Sequence, residues 1–215
     1  MGDLVGGRYP QQNALQSILG LPGNASNAII PVRSNLEYTG LQGLADTAAE
    51  LVTAVMTVVP VPVDIGQPIS KVSALIGATA AGTPVNQWAA LYKGTNVAAP
   101  PLIGQSTDGT TAAIAASARY DFTLASEYVV LGADAPYGYL FAAIMVKATT
   151  VPSLITVPVG AAAGQYAWWT NFPGASFAAA AGALAFSAGS ALTATAPSTL
   201  VAVAAKTTAP VVFLS

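Results

Sequence analysis

Nine acidic side chains, and no histidine or cysteine at all, set the limits of any chemistry in this chain of 215 residues. Without histidine a Ser-His-Asp or Cys-His nucleophile has no base, and a zinc site of the usual Cys/His kind has no ligands. Carboxylate-only and Ser-Lys chemistry remain. A glycosidase-type pair needs two acids facing one cleft. Asp121 and Glu127, in "DFTLASE", could line one end of a sheet, but a solvated strand face is the simpler reading. Ser70 and Lys71 are sequence neighbours, so on a strand they point to opposite faces, which counts against a Ser-Lys nucleophile. Asp64, Asp108 and Asp134 stand near Gly, Pro or Thr in loop-like stretches, where aspartate has an ordinary turn role. Calcium could be held there by carboxylate and carbonyl oxygens. Trp168 and Trp169, in "GQYAWWTNFPG", could stack sugars or choline-like cations. On a strand, however, they alternate, which puts one in the core and its neighbour on a subunit contact. No catalytic residue, cofactor or metal ligand is assigned, and the chain is expected not to be an enzyme.

Composition narrows the partners. The chain is 53% hydrophobic and only 7% charged, with a net charge of −2. Its seven cations (Arg8, Arg33, Lys71, Lys93, Arg119, Lys147 and Lys206) are scattered singly. Nucleic acid is therefore not an expected partner, because phosphate neutralisation needs clustered Lys and Arg. No apolar run approaches the roughly 20 residues of a spanning helix; "FAAAAGALAF" at 177–186 is short and built mainly of Ala and Gly. The start, "MGDLVGGRYPQQ", lacks a basic n-region and an apolar h-region, so a cytoplasmically made chain with no membrane partner is expected. "Asn24-Ala25-Ser26" fits a glycosylation acceptor but carries no weight without a signal peptide. So few charges point to surface hidden against copies of itself or a partner, most of all at 156–215, where Lys206 is the single charge.

The elements that must carry these residues read as an arm followed by β-structure. In "YPQQNALQSILGLPG" Pro10 suits a first helical turn, Leu15, Ile18 and Leu19 share a face, and Gly20 and Pro22 end the run. Residues 23–40, with Ile29 and Ile30, look extended. The spacing of Leu41, Leu44, Ala45 and Ala48 suggests another helix. From about residue 50 alternation takes over: "LVTAVMTVV" reads as a half-buried strand, and the prolines of "VPVPV" suit an edge or a strand end. Val72, Ala74 and Ile76 alternate with Ser73 and Leu75. Trp88 and Tyr92 face one way, Ala89 and Leu91 the other, and Trp88 reads as core. Asp108-Gly109 signals a hairpin turn. In "ARYDFTLAS" Tyr120, Phe122 and Leu124 oppose Arg119, Asp121 and Thr123. "YGYLFAAIMVKATT" is apolar on both faces, as a central, doubly covered strand would be. "SALTATAPSTLVAVAAK" adds more alternation. Strands at this spacing argue for a β-sandwich or jelly roll over residues 46–215, preceded by an arm at 1–45 with a short helix at about 11–19.

The order of these pieces carries a resemblance. "VPVPVDIGQPISKVSALIGATAAGTPVNQWAALYKG", then Gln105 to Thr110, then an "LASEYVV" strand and "GYLFAAIMVKATTVPSL", is similar to a jelly-roll module of structural proteins in tailed bacteriophages, particularly those infecting actinobacteria. The similarity covers roughly residues 50–155. Residues 156–215 match only in their Ala/Gly/Thr-rich character, and residues 1–45 hardly match. The resemblance implies a non-enzymatic virion protein, most simply a capsid decoration or head-fibre protein at the capsid surface, made in the host cytoplasm. A minor tail or tail-fibre protein is the alternative, and a carbohydrate-binding module contacting a host-surface glycan is another. Expected partners are copies of itself (a homo-oligomer, with a trimer as one arrangement) and the major capsid protein or tail proteins. Leu15, Ile18, Leu19, Ile29 and Ile30 are the candidate docking residues.

Overall fold

The computed structural model describes residues 33–34, 44–47, 51–95, 99–158, 185–201, 204–206 and 208–215. All of them belong to one unit, Val32–Ser215. The strands are β1 (Arg33–Ser34), β2 (Ala45–Thr47), β3 (Met56–Pro62), β4 (Pro68–Leu75), β5 (Gly82–Tyr92), β6 (Leu102–Gln105) and β7 (Arg119–Val129). They continue with β8 (Tyr139–Thr150), β9 (Leu154–Pro158), β10 (Phe186–Ala188), β11 (Ala204–Ala205), β12 (Thr208–Pro210) and β13 (Val212–Leu214). A six-stranded sheet runs β11-β10-β3-β8-β5-β6, a four-stranded sheet β1-β13-β4-β7, and a small sheet β12-β9-β2. Every strand pairing is antiparallel. From β3 to β8 the chain crosses between the two larger sheets four times, with β5 and β6 as consecutive neighbours in the six-stranded one, a winding of the kind found in antiparallel sandwiches. The mostly-β sandwich expected from the sequence is what forms. Among the described residues no helix is long and apolar enough to cross a membrane.

β8 is central, as its two apolar faces require. Residues Tyr139 to Val146 are all buried, between β3 on one side and β5 on the other. The register separates two faces. Met56, Trp88 and Met145 lie side by side, as do Val58, Ala90 and Ala143, with Tyr92 beside Phe141. Thr57, Ala89 and Ile144 line the opposite face, with Val59, Leu91 and Ala142. The other large sheet has its own apolar residues: Ile69, Val72 and Ala74 from β4, Phe122 and Leu124 from β7, and Val212 and Leu214 from β13 are all buried.

The Trp88 face is covered by something the alternation did not reveal. Residues 190–201, the first part of the stretch read as alternating strand, form an irregular strap over it. Ala196 and Leu200 join the cluster of Met56, Trp88, Tyr92, Phe141 and Met145, with Leu192 packed against it. The strap contributes carbonyls: Trp88 Nε1 donates to Thr193 O at 2.7 Å, Tyr92 Oη to Pro197 O at 3.0 Å, and Gln105 Nε2 to Ala194 O at 2.8 Å. Gln105 Oε1 in turn accepts from Ala196 N at 2.7 Å. At its far end the strap lies along β6, with Leu102 N donating to Ser198 O and Leu200 N to Pro100 O. Small residues suit this role, because the backbone must come within hydrogen-bonding reach of the sheet. Their Ala/Thr alternation imitates a strand.

Four further expectations need correction. The helix suggested by Leu41 to Ala48 gives way, at Ala45–Thr47, to β2, held in register with β9 (Ala45 beside Thr156, Thr47 beside Leu154). Thr47 Oγ1 and Thr156 Oγ1 share a 2.7 Å hydrogen bond, a tertiary ladder that overrides weak helical spacing. The strand expected from Leu51 begins only at Met56, because Leu51 to Val55 make a turn with Ala54 at φ 59°. β3 is also buried on both faces rather than half-buried. Asp108-Gly109 is not a hairpin: β6 pairs with β5, and the long 106–118 connection folds back over β5. Pro60 and Pro62 fit their reading better. β10 reaches only Met56 to Val58, so these prolines lie where β3 has no ladder partner on its outer side among the described residues.

Candidate functional site

The carboxylates weighed for chemistry do not converge. Asp121 lies on the outer face of β7, where Arg119 Nε and Nη2 grip its two oxygens at 2.8 and 2.9 Å and Lys71 Nζ stands 3.5 Å away. Partial burial pushes its carboxyl up, but hydrogen bonds from Arg119 and Ser73 and the charges of Arg119 and Lys71 outweigh this and hold it low. Glu127 is exposed, six positions along the same strand, within the irregular stretch between Thr123 and Tyr128, which pair with Lys71 and Ile69. A carboxylate held low by two cations is a poor general acid. Replacing Asp121 by Asn and Glu127 by Gln should leave any hydrolase assay unchanged. A glycosidase activity in the wild type that vanishes in these variants would reverse that reading.

Ser70 and Lys71 are engaged in holding the sheet together. The Ser70 hydroxyl donates to Ser215 O at 3.2 Å, and the backbone N–H groups of Ser70 and Lys71 donate to the same oxygen at 2.7 and 2.8 Å. The bulge in β4 thus receives the end of β13.

The remaining aspartates organise loops. Asp64 pairs with Arg33, which ties β1 to the β3–β4 turn. Asp108 accepts from Gln87 N at 2.8 Å, Asn86 Nδ2 at 2.6 Å and Thr110 Oγ1 at 2.7 Å. It caps the backbone where β5 is bulged between Pro84 and Asn86. Beneath that loop the buried Gln87 donates through Nε2 to Gly109 O and Ala112 O. Asp46 accepts from Ala78 N at 2.7 Å, and Ser153 Oγ accepts from Thr79 N at 3.0 Å, which pins the "GATAAG" loop. A side chain at Gly77 would overlap Asp46 and stand 2.5 Å from Ser153 Oγ, so glycine is required there. Among the described residues no three His, Cys, Asp or Glu side chains gather as a metal-holding group.

One polar cluster was missed from the sequence. Asp134, buried in the β7–β8 loop, takes Lys93 Nζ at 2.7 Å and the Tyr128 hydroxyl at 2.6 Å. In the chain Lys93 is 41 positions and Tyr128 six positions from Asp134, so only folding brings the three together, and Gly94 N completes the knot by donating to Asp134 O at 2.8 Å. Burial raises the Asp134 carboxyl, but the Lys93 and Tyr128 hydrogen bonds and the Lys93 charge pull it below the usual carboxylate range. The Tyr128 hydroxyl is pushed up to about 12, by burial first and then by its bond to Asp134. A depressed carboxyl stabilises the fold fully above its unfolded pKa, near 3.9, and loses that contribution as pH falls through the folded value. Asp134→Asn should therefore cost about 1–3 kcal/mol at neutral pH. Urea denaturation at a series of pH values should show the gap to wild type closing as the medium becomes strongly acidic. A gap that is constant down to acid would mean that the charge of Asp134 contributes nothing.

The β7–β8 loop held by this cluster, together with the neighbouring β3–β4 turn, presents the other feature of note. Ile65 in the β3–β4 turn is 74% exposed, and Val129, Leu131 and Tyr137, at the end of β7 and in the β7–β8 loop, are about half exposed. The two loops are laced together: Gly66 N donates to Val130 O at 2.8 Å, Val130 N to Gln67 O at 2.9 Å and Val63 N to Gly138 O at 3.0 Å. Apolar residues inside "VDIGQP" and "VVLGADAPYG", stretches otherwise made of turn formers, were the available sequence signal.

Trp88 is fully buried, as read. Leu15, Ile18, Leu19, Ile29, Ile30, Trp168 and Trp169 lie outside the described residues. The fold and its polar clusters define an antiparallel β-sandwich whose described aspartates hold loops and strands together. No family model and no curated protein sequence matches the chain.

Proposed function

We propose that this chain is a non-enzymatic structural protein of a tailed-bacteriophage particle, most simply a decoration or head-fibre protein on the capsid, with a minor tail position as the alternative. The observation that carries this reading is the resemblance of residues 50–155, from the "VPVPV" segment to "MVKATTVPSL", to virion jelly-roll modules. The placement of the carboxylates supports it, since Asp46, Asp64, Asp108, Asp121 and Asp134 are each engaged by donors that fix the fold. A sandwich that must be stable and repetitive, rather than reactive, uses its few charges this way.

Mass spectrometry of purified particles tests the proposal, with labelled antibody and electron microscopy distinguishing capsid from tail. The protein should be present in many copies on the capsid. Its absence from particles would end the proposal, and label confined to the tail would select the alternative. The docking role of the N-terminal segment is tested by deleting residues 1–31, a cut that spares β1, whose Arg33 and Ser34 pair with Leu214 and Phe213. The truncated protein should fold but no longer associate with particles. Attachment at normal copy number would remove the docking role.

A further inference from the structure

The end of the sandwich formed by the β3–β4 turn and the β7–β8 loop is rigid, apolar and electrically neutral. Rigidity comes from the backbone bonds between the two loops and from Asp134, held by Lys93 and Tyr128. A loop held this firmly does not fold Leu131 and Tyr137 inward; they stay exposed with Ile65 and Val129. Gly132 stands against Ile65, with its Cβ position 3.4 Å from Ile65 Cδ1, so the two loops form one continuous tip. Tyr137 is stacked on the buried Tyr139, with ring centroids 6.3 Å apart, which fixes its ring at the surface. Apolar side chains held in place in water lose little further conformational entropy on being covered, and that favours association.

We propose that this tip is a self-association surface whose occupant is the same tip of a second copy of this chain. Charge favours a neutral occupant such as the tip's own copy. The acids at the tip are already neutralised within the chain, Asp64 by Arg33 and Asp134 by Lys93. A charged partner would find no free counter-charge within the tip, whereas its own image brings no like charge into the apolar centre and strands no ion. Glu127, exposed two positions before Val129, belongs to the rim. Size sets the strength. A stable pairwise interface buries about 800 Å² on each partner, and four partly exposed side chains supply only a portion of that. The pairing is therefore reversible and concentration-dependent, and it gains strength where many copies are held on one scaffold.

Sedimentation equilibrium of the full chain over a wide concentration range tests this without any particle, so its failure is separable from failure of the virion reading. The wild type should pass reversibly from monomer to dimer. Ile65→Lys, at a position exposed enough to leave the fold intact, should weaken dimerisation by about tenfold or more, since a lysine must be desolvated at the centre of the contact. Leu131→Ser is the second variant, should lysine disturb the turn. Val85→Lys, on an exposed valine of β5, should have no effect. A protein monomeric at every concentration overturns the proposal, and so does association that Ile65→Lys and Leu131→Ser leave intact. If the chain is monomeric and Ile65→Lys instead abolishes particle binding, the tip faces the particle and self-pairing is wrong.

Discussion

Replacing Trp88 by alanine should destabilise the protein by about 3–5 kcal/mol, the range for removing a large buried aromatic. Trp88 has no exposed surface, and it lies in the middle strand pairing β5–β8 beside Met145, under the strap. Two losses combine. The indole volume becomes a cavity beneath Ala196 and Leu200, and the strap loses the hydrogen bond to Thr193 O. Trp88→Phe separates them, because it restores most of the packing and should cost nearer to 1 kcal/mol for the missing bond. Denaturant midpoints followed by far-ultraviolet circular dichroism would measure both. A cost for Trp88→Ala no greater than that for Trp88→Phe would mean that the strap collapses into the vacated volume.

Gly94→Ala should be as severe, for a different reason. A Cβ at this position would stand 2.7 Å from the carbonyl carbon of Tyr139 and closer still to its oxygen. The clash is backbone against side-chain root, so no rotamer relieves it. Either the chain leaving β5 or the start of β8 must move, and with it the Gly94 N–H bond to Asp134 O. A loss of about 4 kcal/mol or more is expected, in the tail of point-mutant effects. Gly104→Ala in β6 is the control, since nothing lies within 4 Å of its Cβ position. Soluble yield and unfolding midpoints should separate the two variants widely. Equal stability would show that the β5 exit adjusts freely.

Strand content was legible wherever a face stayed apolar over several turns of alternation. β4, β5 and β7 were read with their faces sorted correctly because the pleat imposes a period of two on the sequence, and β8 because burial on both faces leaves a continuous apolar run. The strap was not legible. Its contacts are made by carbonyl groups, which every residue possesses, and the information lies in Trp88, Tyr92 and Gln105 about a hundred positions away. The Asp108 loop misled for a related reason. Asp-Gly signals a turn, but only the Gln87 N–H on another strand determines which way that turn folds. The Lys93–Asp134–Tyr128 cluster is likewise a product of topology: an isolated lysine and an isolated aspartate in the sequence become partners because β5 and β7 end on the same side. For the candidate site, the sequence correctly set Asp121 on an outward strand face, and it offered no way to tell that the exposed apolar residues of two separate loops would share one tip.

The way the strap finishes bears on how such a protein survives at high local concentration. An open strand at the side of a sheet is a template on which identical chains can stack into fibrils, and proteins commonly block it with lysines or other charges. With seven cations in 215 residues, this chain has little charge to use for that purpose. Residues 198–200 take up the outer hydrogen-bonding groups of Pro100 and Leu102 instead. Backbone thus shields backbone along this edge, where a sheet with so few charges would otherwise offer a template for amyloid growth.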